Sequence, residues 1–159
     1  MTDYRIERAS DADALARMAA DWIAAQISLV LDQRDRCCIA LSGGSTPARA
    51  YRLLGQERLP WDRVDVVLGD ERWVAADDPS SNALMIRQTL MKQGPGSAAV
   101  FHPVPTIDLA NAEASAAALA ELSNRLCSGE PPVFDVMLLG LGDDDHTASL
   151  FPGTEATTI

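Results

Sequence analysis

Lysine occurs once in this chain, at Lys92, and histidine twice, at His102 and His146. With a formal net charge of −10 over 159 residues, the chain lacks the basic field that nucleic-acid binding requires, so no nucleic-acid partner is expected. The acidity leaves room for a small anion, because a phosphate is held locally by backbone N–H groups and one or two cations. No uninterrupted apolar run reaches about 18 residues, so no membrane span is expected. The opening "MTDYRIERASDADALARM" has no apolar signal core behind a basic start, which predicts a cytoplasmic protein. Cysteine is scarce as well. Cys37 and Cys38 are adjacent, Cys127 is distant, and neither C-x-x-C nor metal-ligand spacing occurs, so buried, reduced thiols are expected.

Repeats, low-complexity tracts and breaks in composition are also missing, and the chain reads as a single α/β domain over residues 1–159. Apolar residues make up 47% and charged residues 23%, ordinary values for a globular protein. Ser10 with Asp13 forms a candidate cap for a helix over about residues 11–32. Its predicted buried stripe is Leu15, Met18, Trp22, Ala25 and Leu29, widened by Ile23, Ile27 and Val30.

Cys37–Leu41 is a short apolar run and predicts a buried strand, followed by a turn at Ser42–Thr46. Pro47 fits a helix's first turn, and Ala48–Leu54 continue that helix. Val64–Leu68 predicts a second strand. Ser80 or Ser81 is placed to cap a helix through Met91. "AAVFHPV" is a weaker strand, Asn111–Leu126 an Ala-rich helix, and "VFDVMLLGLG" a fully apolar strand. Helices alternating with strands that are apolar throughout predict a mostly parallel sheet covered by helices. Ligands of such sheets sit beyond the carboxyl ends of the strands. Here the strand exits read "SGGST", "GDER" and "GLGDDDH", and the topology brings them to one edge.

Each exit has a chemical reading and a structural one. In "SGGSTP", Gly43 and Gly44 allow close backbone approach, Ser45 and Thr46 offer hydroxyls, and a helix N-terminus follows. That suits a phosphate, although the sequence is neither G-x-x-x-x-G-K-[ST] nor G-x-G-x-x-G; the alternative is a capped strand-to-helix turn. In "GDER", Arg72 either meets negative charge on a ligand or forms a surface ion pair with an acidic neighbour. In "GLGDDDHTASLFPG", His146 follows Asp143, Asp144 and Asp145. Consecutive aspartates do not readily face one ion, and His102, between Phe101 and Pro103, reads as structural, so no metal site is expected. General base chemistry fits better, with Asp144 orienting the ring of His146; a polar turn with a solvated histidine remains open. Ser149 lacks the G-x-S-x-G elbow of a nucleophile.

Taken together and in order, "LSGGSTP" (41–47), "GDERWV" (69–74) with "SSN" (80–82), and "GLGDDDHTASLFPG" (140–153) resemble the 6-phosphogluconolactonase family. The resemblance implies a three-layer α/β/α sandwich with a mostly parallel, Rossmann-like sheet. It implies hydrolysis of 6-phosphoglucono-δ-lactone to 6-phosphogluconate, a step of the oxidative pentose phosphate pathway, with no metal or organic cofactor. By motif, His146 becomes the base that activates water, Asp144 its support, and Arg72 the substrate-binding or charge-stabilising cation. Gly43, Gly44, Ser45, Thr46 and Asp70 then line the sugar-phosphate site. The oligomeric state stays open.

Two departures stand out. The family motif carries glycine where this chain has Asp145, so a backbone with φ > 0 is expected there, with a carboxylate that repels phosphate or acts on His146. Family members are also longer, so the chain corresponds to the N-terminal two-thirds of a typical member, with a sheet truncated at its C-terminal end. The alternatives are a non-catalytic sugar-phosphate-binding fragment and a sugar-phosphate deaminase or isomerase. The latter resemble a pattern with a glutamate soon after the histidine, whereas here no acid precedes Glu155.

Overall fold

The computed structural model describes residues 4–158. Helix α1 spans Ala12–Leu31. Its cap is Asp11 rather than Ser10. The Asp11 carboxylate accepts from the N–H groups of Asp13 (3.0 Å) and Ala14 (2.8 Å), and Ser10 Oγ merely supports that carboxylate at 2.9 Å. A carboxylate is the stronger acceptor at a helix N-terminus, because it also meets the positive end of the dipole.

The buried stripe of α1 is Ala16, Ala20, Ile23, Ile27 and Leu31. Ile23 and Ile27 are buried as predicted, while Leu15, Trp22 and Leu29 are 41%, 57% and 55% exposed, so the buried stripe is centred on the Ile23–Ile27 side of the predicted one. Two apolar stripes share this helix, and small residues decide between them: Ala16 and Ala20 let α1 approach its neighbours closely. This helix is long and apolar enough to cross a membrane by length and composition. Here its Ile23 and Ile27 pack in the core, each worth about 1.5–3 kcal/mol of burial.

Strand β1 is Cys37–Leu41 and β2 is Val64–Leu68, both as predicted and both buried along their whole length. Between them α2 covers Ser45–Leu54, starting earlier than expected, so Ser45 and Thr46 belong to its first turn. Helix α3 is Asn82–Gln88, capped by Ser81 Oγ on the N–H of Leu84 (3.3 Å). It stops short of Met91 because the chain leaves helical geometry at Thr89, whose hydroxyl turns back to Met85 C=O at 2.7 Å. Strand β3 is Val100–His102, helix α4 is Ala112–Leu126, and β4 is Val136–Met137.

All strand pairs are parallel, in the order β3-β2-β1-β4. One face carries Cys37, Ile39, Leu41, Val64, Val66 and Leu68 against α1, α2 and α3. The other carries Cys38, Ala40 and Val67 against Leu122 and Leu126 of α4. The result is the expected three-layer α/β/α sandwich. Among the described residues the sheet has four strands. The apolar run at residues 133–142 is not buried on both faces: Val136 is buried, while Met137, Leu139 and Leu141 are exposed, since among the described residues β4 is paired on one side only.

The chain moves outward from β1 to β2 to β3, then returns across the sheet to place β4 on the other side of β1. Between β1 and β4 the connections part in opposite directions, and that point opens a crevice at the carboxyl ends.

At the opposite end of the strands, Asp65 is buried between Arg36 Nε (2.7 Å) and His102 Nε2 (2.8 Å), which gives His102 a structural partner. Burial alone raises the Asp65 carboxyl; the hydrogen bonds and charges of Arg36 and His102 outweigh it and hold the group below the usual carboxylate range. Cys37, Cys38 and Cys127 are free thiols, with Cys37 pushed up to about 12 mainly by burial.

Candidate active site

A cavity of about 490 Å³ opens at the crevice between β1 and β4. Gly43, Gly44, Ser45, Thr46, Asp70, Arg72 and His146 all line it, so the three strand exits do converge. Asp144 reaches the cavity only through His146.

The first wall is the β1 exit. Gly44 has φ 116°, a left-handed backbone that favours glycine, and caps α2 without a side-chain bond. The amides of Ser45 and Thr46 therefore begin the helix with no intrahelical partner, at the positive end of its dipole. Gly43 is small for a different reason. A Cβ there would lie 2.0 Å from Oδ1 of Asn82, a buried residue of α3. Tyr51, fully buried on α2, fixes the start of the turn: its hydroxyl donates to Ser42 C=O (2.9 Å) and accepts from Ser42 N–H (3.1 Å).

The β2 exit supplies the second wall. Glu71 does not pair with Arg72 through its guanidinium. Its carboxylate accepts from the backbone N–H groups of Arg72 (2.8 Å), Asn82 (2.7 Å) and Ala83 (2.8 Å), and from Ser81 Oγ (3.1 Å). Asn82 Nδ2 in turn donates to Asp70 C=O at 3.0 Å. The guanidinium of Arg72 donates to Ser80 C=O at 3.0 Å and, among the described residues, makes no salt bridge. An exposed cation that keeps its charge unneutralised suits an anionic ligand better than the surface ion pair that was the alternative.

The third wall is the β4 exit. His146 Nδ1 hydrogen-bonds Asp144 Oδ1, and that bond holds the Asp144 carboxyl below its ordinary range. With Nδ1–H donating to a carboxylate, the lone pair sits on Nε2. The ring also stacks on Phe151, centroids 4.6 Å apart and planes 18° from parallel. The loop closes on itself: Gly142 N–H donates to His146 C=O (2.8 Å), and Thr147 Oγ1 donates to Gly140 C=O (2.8 Å). Asp145 has φ 65°, the left-handed geometry anticipated where the family motif has glycine, and its side chain points to solvent. Ser149 is exposed.

Sequence reasoning missed several contributors. Leu15, Ala16 and Ala19 of α1 form a wall that no motif marks. Gly142 leaves room for the imidazole, since a Cβ there would lie 2.2 Å from His146 Nδ1. The "GLG" spacing was its only signal. Asn82 was visible only as part of "SSN", and Tyr51 looked like any core aromatic.

These features define an α/β protein with a cavity at the sheet's switch point, lined by a helix N-terminus, a guanidinium without a salt bridge among the described residues and an imidazole oriented by a carboxylate. The chain belongs to the glucosamine-6-phosphate isomerases/6-phosphogluconolactonase family, whose model matches residues 10–158. It is 42% identical over 156 residues to a 6-phosphogluconolactonase of Nostoc sp., covering 97% of this chain and 65% of that protein. The fold is similar to a crystal structure of a 6-phosphogluconolactonase from Shewanella baltica, with TM-score 0.81 and 37% identity over 89% of this chain and 58% of that one. A 6-phosphogluconolactonase structure from Trypanosoma brucei is similar at TM-score 0.80 and 33% identity, covering 94% of this chain and 64% of that one. The chain thus spans less than two thirds of the length of these relatives.

Proposed function

We propose that this protein hydrolyses 6-phosphoglucono-δ-lactone to 6-phosphogluconate, as a cytoplasmic enzyme of the pentose phosphate route. The observation that carries the reading is one cavity lined by the Asp144-oriented imidazole, Arg72 and the Gly43–Thr46 turn. Relatives named 6-phosphogluconolactonase across most of the chain supply the substrate.

In this reading the free amides and hydroxyls of Ser45 and Thr46, at the N-terminus of α2, take the phosphate. Asp70 accepts a hydrogen bond from a sugar hydroxyl. His146 Nε2 removes a proton from water as the water oxygen bonds to the lactone carbonyl carbon. Arg72 meets the charge that develops on the carbonyl oxygen. The ring C–O bond then breaks as the departing ring oxygen takes the proton held on His146, and the new carboxylic acid releases its proton to solvent, leaving the carboxylate and the open-chain hydroxyl. The residues call for neither a metal nor an organic cofactor.

The deaminase alternative fits less well. Phe151, not an acid, stacks on the imidazole, and no carboxylate follows His146 before Glu155. The test is His146→Ala. It should abolish most lactone hydrolysis above the spontaneous rate while 6-phosphogluconate still binds. If turnover persists, or if binding and folded structure vanish along with it, His146 is not the base.

A further inference from the structure

We infer that Ser42 is a further binding residue of this site, its hydroxyl hydrogen-bonding a hydroxyl group of the sugar; the inference rests on the sugar-phosphate reading above. Ser42 is 6% exposed, and among the described residues its Oγ is the buried side-chain polar atom left without a hydrogen-bond partner. Buried hydroxyls are rarely left so, because desolvation then goes uncompensated. Ser42 also lines the cavity, next in sequence to the Gly43–Gly44 turn.

The backbone of Ser42 is held in place on both of its polar groups. Tyr51 Oη holds both its N–H and its C=O. Just before it, Leu41 C=O accepts from Gly69 N–H (2.9 Å) and Ala40 C=O accepts from Leu138 N–H (2.9 Å). The backbone leading into Ser42 is thus tied to the exits of β2 and β4. Serine hydroxyls near turns usually bond a local carbonyl, and this one does not. An orphaned hydroxyl at the wall of a ligand cavity is a donor and acceptor held in reserve. A sugar hydroxyl matches both of its roles, whereas phosphate oxygens only accept. The phosphate already has the free amides and hydroxyls at the α2 N-terminus.

The test compares the full chain with its Ser42→Ala variant in thermal unfolding without ligand and in calorimetric binding of 6-phosphogluconate and of inorganic phosphate. Ser42→Ala should unfold at the same or a higher temperature, since it removes an unpaired buried group. Its affinity for 6-phosphogluconate should fall about tenfold, the loss of one well-placed hydrogen bond. Its affinity for inorganic phosphate should not change. Three outcomes overturn the inference while leaving the sugar-phosphate reading intact: unchanged 6-phosphogluconate affinity, an equal loss for inorganic phosphate, or a lower unfolding temperature in Ser42→Ala. If the wild-type chain binds neither ligand, the sugar-phosphate reading falls and takes this inference with it.

Discussion

Replacing Gly142 with alanine tests the catalytic geometry through an atom that takes no part in the chemistry. The new Cβ would lie 2.2 Å from Nδ1 and 2.3 Å from Cε1 of His146, and 2.8 Å from Oδ1 of Asp144. Ordinary contact begins near 3.4 Å, so the imidazole must retreat by more than 1 Å. Gly142 is not among the residues with left-handed backbone, so alanine fits the chain there and the strain falls on the ring. A reacting group displaced by about 1 Å loses on the order of 10²-fold in rate. That corresponds to roughly 2.7 kcal/mol of barrier. The loop is largely solvent-exposed, so global stability should change little. The assay is lactone hydrolysis above the spontaneous rate, paired with the NMR signal of the His146 Nδ1 proton, which the Asp144 hydrogen bond moves downfield. The variant should lose both. Turnover within threefold of wild type, with that proton signal unmoved, would refute the claim that this ring, held by Asp144, is the base.

Two stability effects follow from the same structure. Tyr51→Phe removes the hydroxyl that satisfies both backbone groups of Ser42, and should cost about 2 kcal/mol, read as a lowered denaturant midpoint at unchanged slope. Asp65 has a folded-state pKa below its unfolded value, so its stabilisation is fully present above the ordinary carboxylate range. It should disappear as pH falls through the folded value, and Asp65→Asn should flatten that acid limb of the stability profile; an unchanged limb would assign it to other carboxylates.

The sheet's centre was legible in the sequence because β1 and β2 are covered on both faces, so apolar runs and strand boundaries coincide at Cys37–Leu41 and Val64–Leu68. The run at 133–142 looks the same on paper, yet only Val136–Met137 form a ladder, since composition does not distinguish an interior strand from an edge. The α1 stripe is right at Ile23 and Ile27 and off-centre at Leu15, Trp22 and Leu29, because bulky side chains outweigh Ala16 and Ala20 in any hydrophobicity count, whereas packing favours the small side chains where helices crowd. Within the cavity, the lining residues at the strand exits announce themselves in the sequence as glycines, hydroxyls and charges. The residues that aim them do not. Asn82 and Tyr51 act through single atoms whose positions depend on tertiary folding, and Glu71 looked like a charge when its work is to receive backbone N–H groups.

The walls of the cavity are anchored unequally. The turn at 43–46 hangs from a five-residue strand with ladders on both sides, while the loop bearing the imidazole hangs from a strand of two residues with one. Local opening follows such differences in anchorage. Among the described residues the wall formed by the 43–46 turn is therefore the more firmly tied of the two, and the wall that carries His146 is the one whose opening would disturb the sheet least.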